Sequence, residues 1–156
     1  MTRFLSPAIL LALAACAAGR PAAMSAGGDA DAVTAAVGGM YDAFKARDLQ
    51  GVAPFMTEDS TCYDVYTSRL LVGRKAVLDH FAAILARHGQ GEKWEATIED
   101  MKVTVAGDLA VAVYKISTKS EGGHMLAAVT HVFRREGGKW LASHLHRSWN
   151  SPPPGK

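Results

Sequence analysis

Three observations on the sequence predict an α+β fold. Apolar residues recur at helical spacing through residues 33–44 and again through 77–88. After Trp94 the apolar period switches to two and holds almost to Trp149. Glycine-bearing turns cut that second half into four strands at hairpin spacing. Helices that come first and strands that come last must share one core, so the helices cover one face of an antiparallel sheet. The 156 residues are enough for one domain with a real core, and no internal repeat or second domain is visible. A net charge of +2 without a basic cluster gives no footprint for nucleic acid.

Residues 1–15 read as a signal peptide. Thr2-Arg3 is a minimal positive start, and residues 4–15 form an apolar run too short to span a bilayer. The run ends in Leu13-Ala14-Ala15-Cys16, which resembles a bacterial lipobox at all four positions. That resemblance implies cleavage before Cys16 and lipidation of Cys16, with two or three acyl chains giving stable anchoring. Ala17 rather than Asp follows, which in Gram-negative cells favours the outer membrane. An ordinary secretory signal cut in the same Ala-rich run is the alternative. Both readings export the protein, and the first confines membrane contact to the lipid anchor. A lipidated Cys16 leaves Cys62 as the sole thiol, so no intrachain disulfide forms. The rest of segment 16–28 reads as a flexible tether, residues 29–150 as the domain, and residues 151–156, with three prolines, as a disordered tail.

Within the domain, Asp29 or Asp31 can cap a helix whose stripe is Val33, Ala36, Val37, Met40, Tyr41 and Phe44. Gly38-Gly39 weakens it by about 1 kcal/mol per glycine, so it needs tertiary packing or uses the glycines for close approach. Leu49, Val52, Phe55 and Met56 suggest a short second helix. Residues 61–66 and 70–72 read as a small hairpin. Gly73 precedes a third helix over 75–88, closed by Gly89, with His80 beside its buried stripe of Val77, Phe81, Ile84, Leu85 and His88. Strands follow from Trp94, with a turn at Ala106-Gly107-Asp108. The next, over 109–119, is so apolar that both faces are expected to be covered. A Glu121-Gly122-Gly123 turn leads to the final hairpin.

That hairpin, residues 127–149, holds the densest chemistry: His131, His144, His146, Arg147, Phe133, Trp140 and Trp149. Its register decides which side chains share a face. A two-residue Gly137-Gly138 loop brings His131, His144 and His146 together as a plausible metal cluster. A three-residue Glu136-Gly137-Gly138 loop, a type I turn with a glycine bulge, puts His131, Phe133, Leu145 and Arg147 on one apolar face. It leaves Trp140, His144 and His146 on the other.

The element order and several strings resemble the SnoaL-like members of the nuclear transport factor 2-like (NTF2-like) superfamily. The matching pieces are Tyr41-Asp42-Ala43-Phe44-Lys45-Ala46-Arg47-Asp48, the Gly73 start of the third helix, and the C-terminal hairpin. Thr130-His131-Val132-Phe133-Arg134-Arg135, Gly138-Lys139-Trp140 and His144-Leu145-His146-Arg147-Ser148 look similar to the association domain of calcium/calmodulin-dependent kinase II. The resemblance implies a cone: a strongly bent antiparallel sheet wrapped around the N-terminal helix, with a pocket inside. It implies an inward arginine at Arg147, a histidine in place of a second pocket arginine at His131, and hence the three-residue loop. A third arginine has no clear counterpart, Lys115 being nearest in sequence.

These readings converge on a small-molecule-binding domain with an apolar pocket and a polar tip. Arg147 and His131 would orient an acidic or carbonyl group, with Tyr41, Tyr63, Phe133 and Leu145 as further ligand-binding residues. Phe44, Phe81 and Met101 add candidate lining. The alternative is a ketosteroid-isomerase-like or cyclase-like proton-transfer enzyme with Asp64 or His131 as catalytic base, Asp64 having a pKa raised by the apolar cavity. A third possibility is an oligomerisation module. A homodimer pairing through the face of Trp140, His144 and His146 is expected, and no metal or cofactor.

Overall fold

The computed structural model describes residues 26–87, 95–120 and 123–150. Signal peptide, lipobox, most of the tether, Gly89, the Glu121-Gly122 part of its turn and the tail lie outside the described residues. Helix α1 spans Ala26–Lys45, α2 Leu49–Val52 with a 3-10 turn Ala53–Phe55, and α3 Arg74–Arg87. The strands are β1 Met56–Tyr63, β2 Leu70–Val72, β3 Glu95–Ala106, β4 Leu109–Ser120, β5 Gly123–Glu136 and β6 Lys139–Asn150.

All six residues of the α1 stripe are buried, as an amphipathic helix against a sheet requires. The helix begins at Ala26, so residues 26–28, read above as tether, are helical, and Asp29 sits inside the first turn rather than at its cap. Phe55 explains one of the two glycines. A Cβ on Gly39 would lie 2.6 Å from the Phe55 ring, whereas one on Gly38 would meet nothing within 4 Å. In α3, Val77, His80, Phe81, Ile84 and Leu85 are buried toward the same core.

One six-stranded sheet, ordered β2-β1-β6-β5-β4-β3, faces these helices. Strands β3 to β6 form the expected antiparallel meander, and β1–β2 the expected hairpin. The join between the two units is parallel, β1 against β6, so the sheet is mixed. In β3 the register shifts between Glu99 and Lys102, where Asp100 takes a φ of 53°. This bulge lets Ala96 and Ile98 before it, and Met101, Val103 and Val105 after it, all pack against the core.

Strand β4 departs from expectation. Ala110, Ala112, Tyr114 and Ile116 are buried, but Leu109, Val111 and Val113 are 53%, 37% and 41% exposed. Its apolar run therefore alternates like any one-sided strand, and the outer face of the sheet is uncovered along it.

The C-terminal hairpin takes neither expected register throughout. Glu136 pairs with Lys139, and Gly137 and Gly138 have φ of 56° and 78°. The loop is thus two residues long, with both positive φ values that a type I′ turn needs. The register then slips between Val132 and Phe133: Phe133 pairs with Ala142 but Val132 with His144, leaving Ser143 extra. That bulge reverses the facing of β6. Beyond it, His131 pairs with Leu145 and Val129 with Arg147, which share the inner face. Before it, Trp140 and Ala142 are buried instead of lying with His144 and His146 as the three-residue loop required.

A candidate ligand cavity between α1 and the sheet

Trp140 takes part in anchoring the helix over the sheet. Its Nε1 donates to Asp29 Oδ1 (3.3 Å), Asp29 Oδ2 pairs with Arg135 Nη2 (2.6 Å), and the Arg135 guanidinium lies 4.5 Å from the Trp140 ring centroid. With this end fixed, the α1 stripe hangs over the inward residues of β5 and β6 and encloses empty space.

A cavity of about 260 Å³, counted to its open mouth, is lined by Met40, Tyr41, Phe44, Val52, Phe81, His131, Leu145 and Arg147. It is mainly apolar with polar groups at one end, the composition usual for small-molecule sites. Those groups form a chain. Arg147 Nη2 donates to Tyr41 Oη (3.5 Å), Tyr114 Oη donates to Tyr41 Oη (3.3 Å), and Tyr114 Oη meets His131 Nδ1 (2.9 Å). A second space of about 210 Å³ shares Met40, Phe81, His131 and Leu145, and adds Met56, Ser60, Thr61, Ala142 and His144.

Burial dominates the electrostatics. His131, 1% exposed, is pushed down to about 3, first by desolvation and then by the Arg147 charge and His144. The imidazole is therefore neutral at ordinary pH. Desolvation first and Tyr41 second raise the Tyr114 phenol, keeping it protonated. Burial pushes the Cys62 thiol up to about 11 although Arg147 opposes it, so this cysteine is no ready nucleophile.

A family model described as a SnoaL-like domain matches residues 33–152. The chain belongs to the SnoaL-like domain family. Its cone is the NTF2-like fold seen in an NTF2-like protein of unknown function from Pseudomonas putida KT2440, at 21% identity over 78% of this chain and 87% of that one, TM-score 0.71. A candidate dehydratase of the NTF2-like family from Streptomyces avermitilis is 25% identical over 80% and 98%, TM-score 0.69. The S. rosetta CaMKII hub is 20% identical over 78% and 96%, TM-score 0.67. No curated protein matches the chain.

In this SnoaL-like domain, four of the expected ligand residues, Tyr41, His131, Leu145 and Arg147, line one cavity. Phe133, fully buried, packs behind them with its ring 5.5 Å from that of His131. Tyr63 is elsewhere. It is 42% exposed, lies 5.9 Å and 5.7 Å from the His144 and His146 rings, and does not line the cavity. Asp64 ends β1 and organises the following turn, its Oδ1 accepting from Tyr66 N (2.8 Å) and Thr67 N (3.2 Å). Those backbone donors, Tyr66 first, hold its carboxyl below the usual range rather than above it. Its Oδ2 is 3.9 Å from His80 Nδ1.

The three C-terminal histidines do not converge. His131 is on the inner face, while His144 Nδ1 meets Thr61 Oγ1 (2.8 Å), and no group of three His, Cys, Asp or Glu side chains among the described residues could hold a metal ion. Lys115 pairs with Asp100 at 2.5 Å and does not line the cavity. Met101 packs in the core, outside the cavity walls. Sequence reasoning missed Ser60 altogether. It is placed by the irregular β1–β6 pairing between Met56 and Thr61, which has no local sequence signal.

Proposed function

We propose that this SnoaL-like domain binds a small, partly apolar compound bearing a carboxylate or carbonyl group. Arg147 and Tyr41 hold the polar end, and Met40, Phe44, Phe81 and Leu145 enclose the rest. The observation that carries the reading is the guanidinium of Arg147, a charged donor, in the wall of a mainly apolar cavity.

Binding is favoured over proton-transfer catalysis of the ketosteroid-isomerase or cyclase kind. Asp64 is engaged by its turn, and a His131 with a pKa of about 3 accepts a hydrogen bond but is too weak a base to remove a proton near neutrality. Native mass spectrometry of protein purified from its own host should reveal a retained acid. Titration calorimetry should show binding of short carboxylates that Arg147→Met weakens about 100-fold. Equal affinity in Arg147→Met sinks the reading.

Two further features belong to this proposal. Copies pair through the outer sheet face, where Leu109, Val111 and Val113 are exposed beside His144 and His146. The domain is exported and tethered by lipid on Cys16, in the outer membrane facing the periplasm. Labelling with radioactive palmitate that survives in the wild type but vanishes in Cys16→Ser tests the anchor.

A further inference from the structure

The two spaces beside His131 share four lining residues and have the imidazole as a common wall, with an outer lobe toward Arg147 and an inner lobe toward Ser60. The inner lobe contains an unusual group. Ser60 Oγ is buried, its residue 1% exposed, and has no hydrogen-bond partner. Interior hydroxyls almost always find one, so a lone one that lines a cavity points to an occupant. Around it the lobe is Met40, Met56, Phe81, Ala142 and Leu145, with Thr61 Oγ1 already engaged by His144 and by the Ser143 carbonyl.

The polarity of the hydrogen-bond chain defines what His131 offers. Arg147 can only donate, so Tyr41 Oη is its acceptor. Tyr114 gives its single proton to the same oxygen. With that proton committed, the short contact between Tyr114 Oη and His131 Nδ1 takes a proton on Nδ1, which is the tautomer we assign. A neutral imidazole protonated at Nδ1 has a bare Nε2, an acceptor only. A carbonyl in the inner lobe would be welcomed by Ser60 but repelled by that lone pair. A hydroxyl suits both, since it accepts from Ser60 and donates to Nε2.

We propose that the inner lobe is a subsite for a hydroxyl group, held between Ser60 Oγ and His131 Nε2, and that the ligand is a short hydroxycarboxylate spanning both lobes. This rests on the reading of Arg147 as the carboxylate anchor, and it adds the chemistry of the other end.

The probes are straight-chain carboxylates and their ω-hydroxy counterparts of equal length, titrated calorimetrically into the whole chain. At the length that spans the lobes, the hydroxy acid should bind about tenfold more tightly than its parent. Ser60→Ala should abolish that advantage while leaving the parent acid unchanged, and Arg147→Met should weaken both. If both acids bind equally, or if the advantage persists in Ser60→Ala, the hydroxyl subsite is overturned and the carboxylate reading stands. If no acid of any length binds, the carboxylate reading falls and takes this one with it. A second measurement needs no variant. Nitrogen-15 NMR of the unliganded protein should find His131 protonated at Nδ1 and bare at Nε2, and a proton on Nε2 overturns the assignment.

Discussion

Protonating His131 would place a second cation beside Arg147 in a buried site, and this single side chain therefore makes the fold sensitive to acid. Its imidazole titrates near 6.5 when free and near about 3 in the folded protein. Between those values the unfolded chain binds more protons, so stability is fully present above about pH 6.5 and drains away as pH falls toward 3. At about 1.4 kcal/mol per pKa unit the full effect is on the order of 4–5 kcal/mol. His80 and His144, both shifted down by burial, act in the same direction. Thermal melts of His131→Leu should show a flatter loss of Tm between about pH 7 and 4 than the wild type. An unchanged slope would mean that His131 is not the dominant group. The inward facing of His131 and Arg147 was expected from the family resemblance, because alternation alone left the hairpin register open. The place of Tyr63 was not legible. The β propensity of residues 61–66 runs on to Tyr66, but the Asp64 carboxylate competes for the backbone N–H groups and stops the strand at Tyr63.

Helix α1 offers a comparison between adjacent glycines. Gly38 faces open space and Gly39 faces the Phe55 ring, so the same substitution should have opposite signs. Gly38→Ala should raise stability by about 0.5–1 kcal/mol through helix propensity alone. Gly39→Ala should lower it by about 1–3 kcal/mol, because the new methyl displaces Phe55. Chemical denaturation of the two variants checks this, and two stabilising changes would contradict the packing. The strand elements were legible in number and order, each from its period and turn glycines. What failed was the count of residues in the last turn. Both loop readings assumed a regular ladder. Gly137-Gly138 is shorter than the preferred reading, and the bulge at Ser143 restores the facing beyond it. The expected pocket face was reached by a different register, at the cost of Trp140, which the bulge sends inward to Asp29.

Across the molecule, two contacts between distant parts of the chain deserve testing. Asp29 on α1 ties the helix to the hairpin through Arg135 and Trp140, and Asp108 in the β3–β4 turn reaches the same guanidinium (3.4 Å). Asp29→Ala removes the more buried of two carboxylates on Arg135 and the acceptor of Trp140 Nε1, and should cost about 1–3 kcal/mol, read as a lower midpoint in urea. It should also loosen the cavity, since α1 forms one wall. On the opposite side, Val113→Lys in the exposed stripe should shift the assembled protein toward monomer in light scattering coupled to size exclusion, with little change in Tm. A monomeric wild type would remove the paired-copy proposal. The α+β class could be anticipated because helices and strands segregate along the sequence, and the NTF2-like cone from the family resemblance. The parallel β1–β6 join could not, because nothing in either strand names its neighbour.

That join also fixes the order in which the site can come into being. Strand β6 lies between β1 and β5, so β1–β2 and β3–β5 share no strand ladder until residues 139–150 are made. Arg147 sits on that same strand. A ribosome must therefore synthesise almost the whole domain before any of the cavity can close, and pairing across so long a sequence separation is slow. A product that stops short of β6 exposes the flanks of both halves as sticky edges. The strand that joins the sheet and the arginine that lines the cavity arrive in one step.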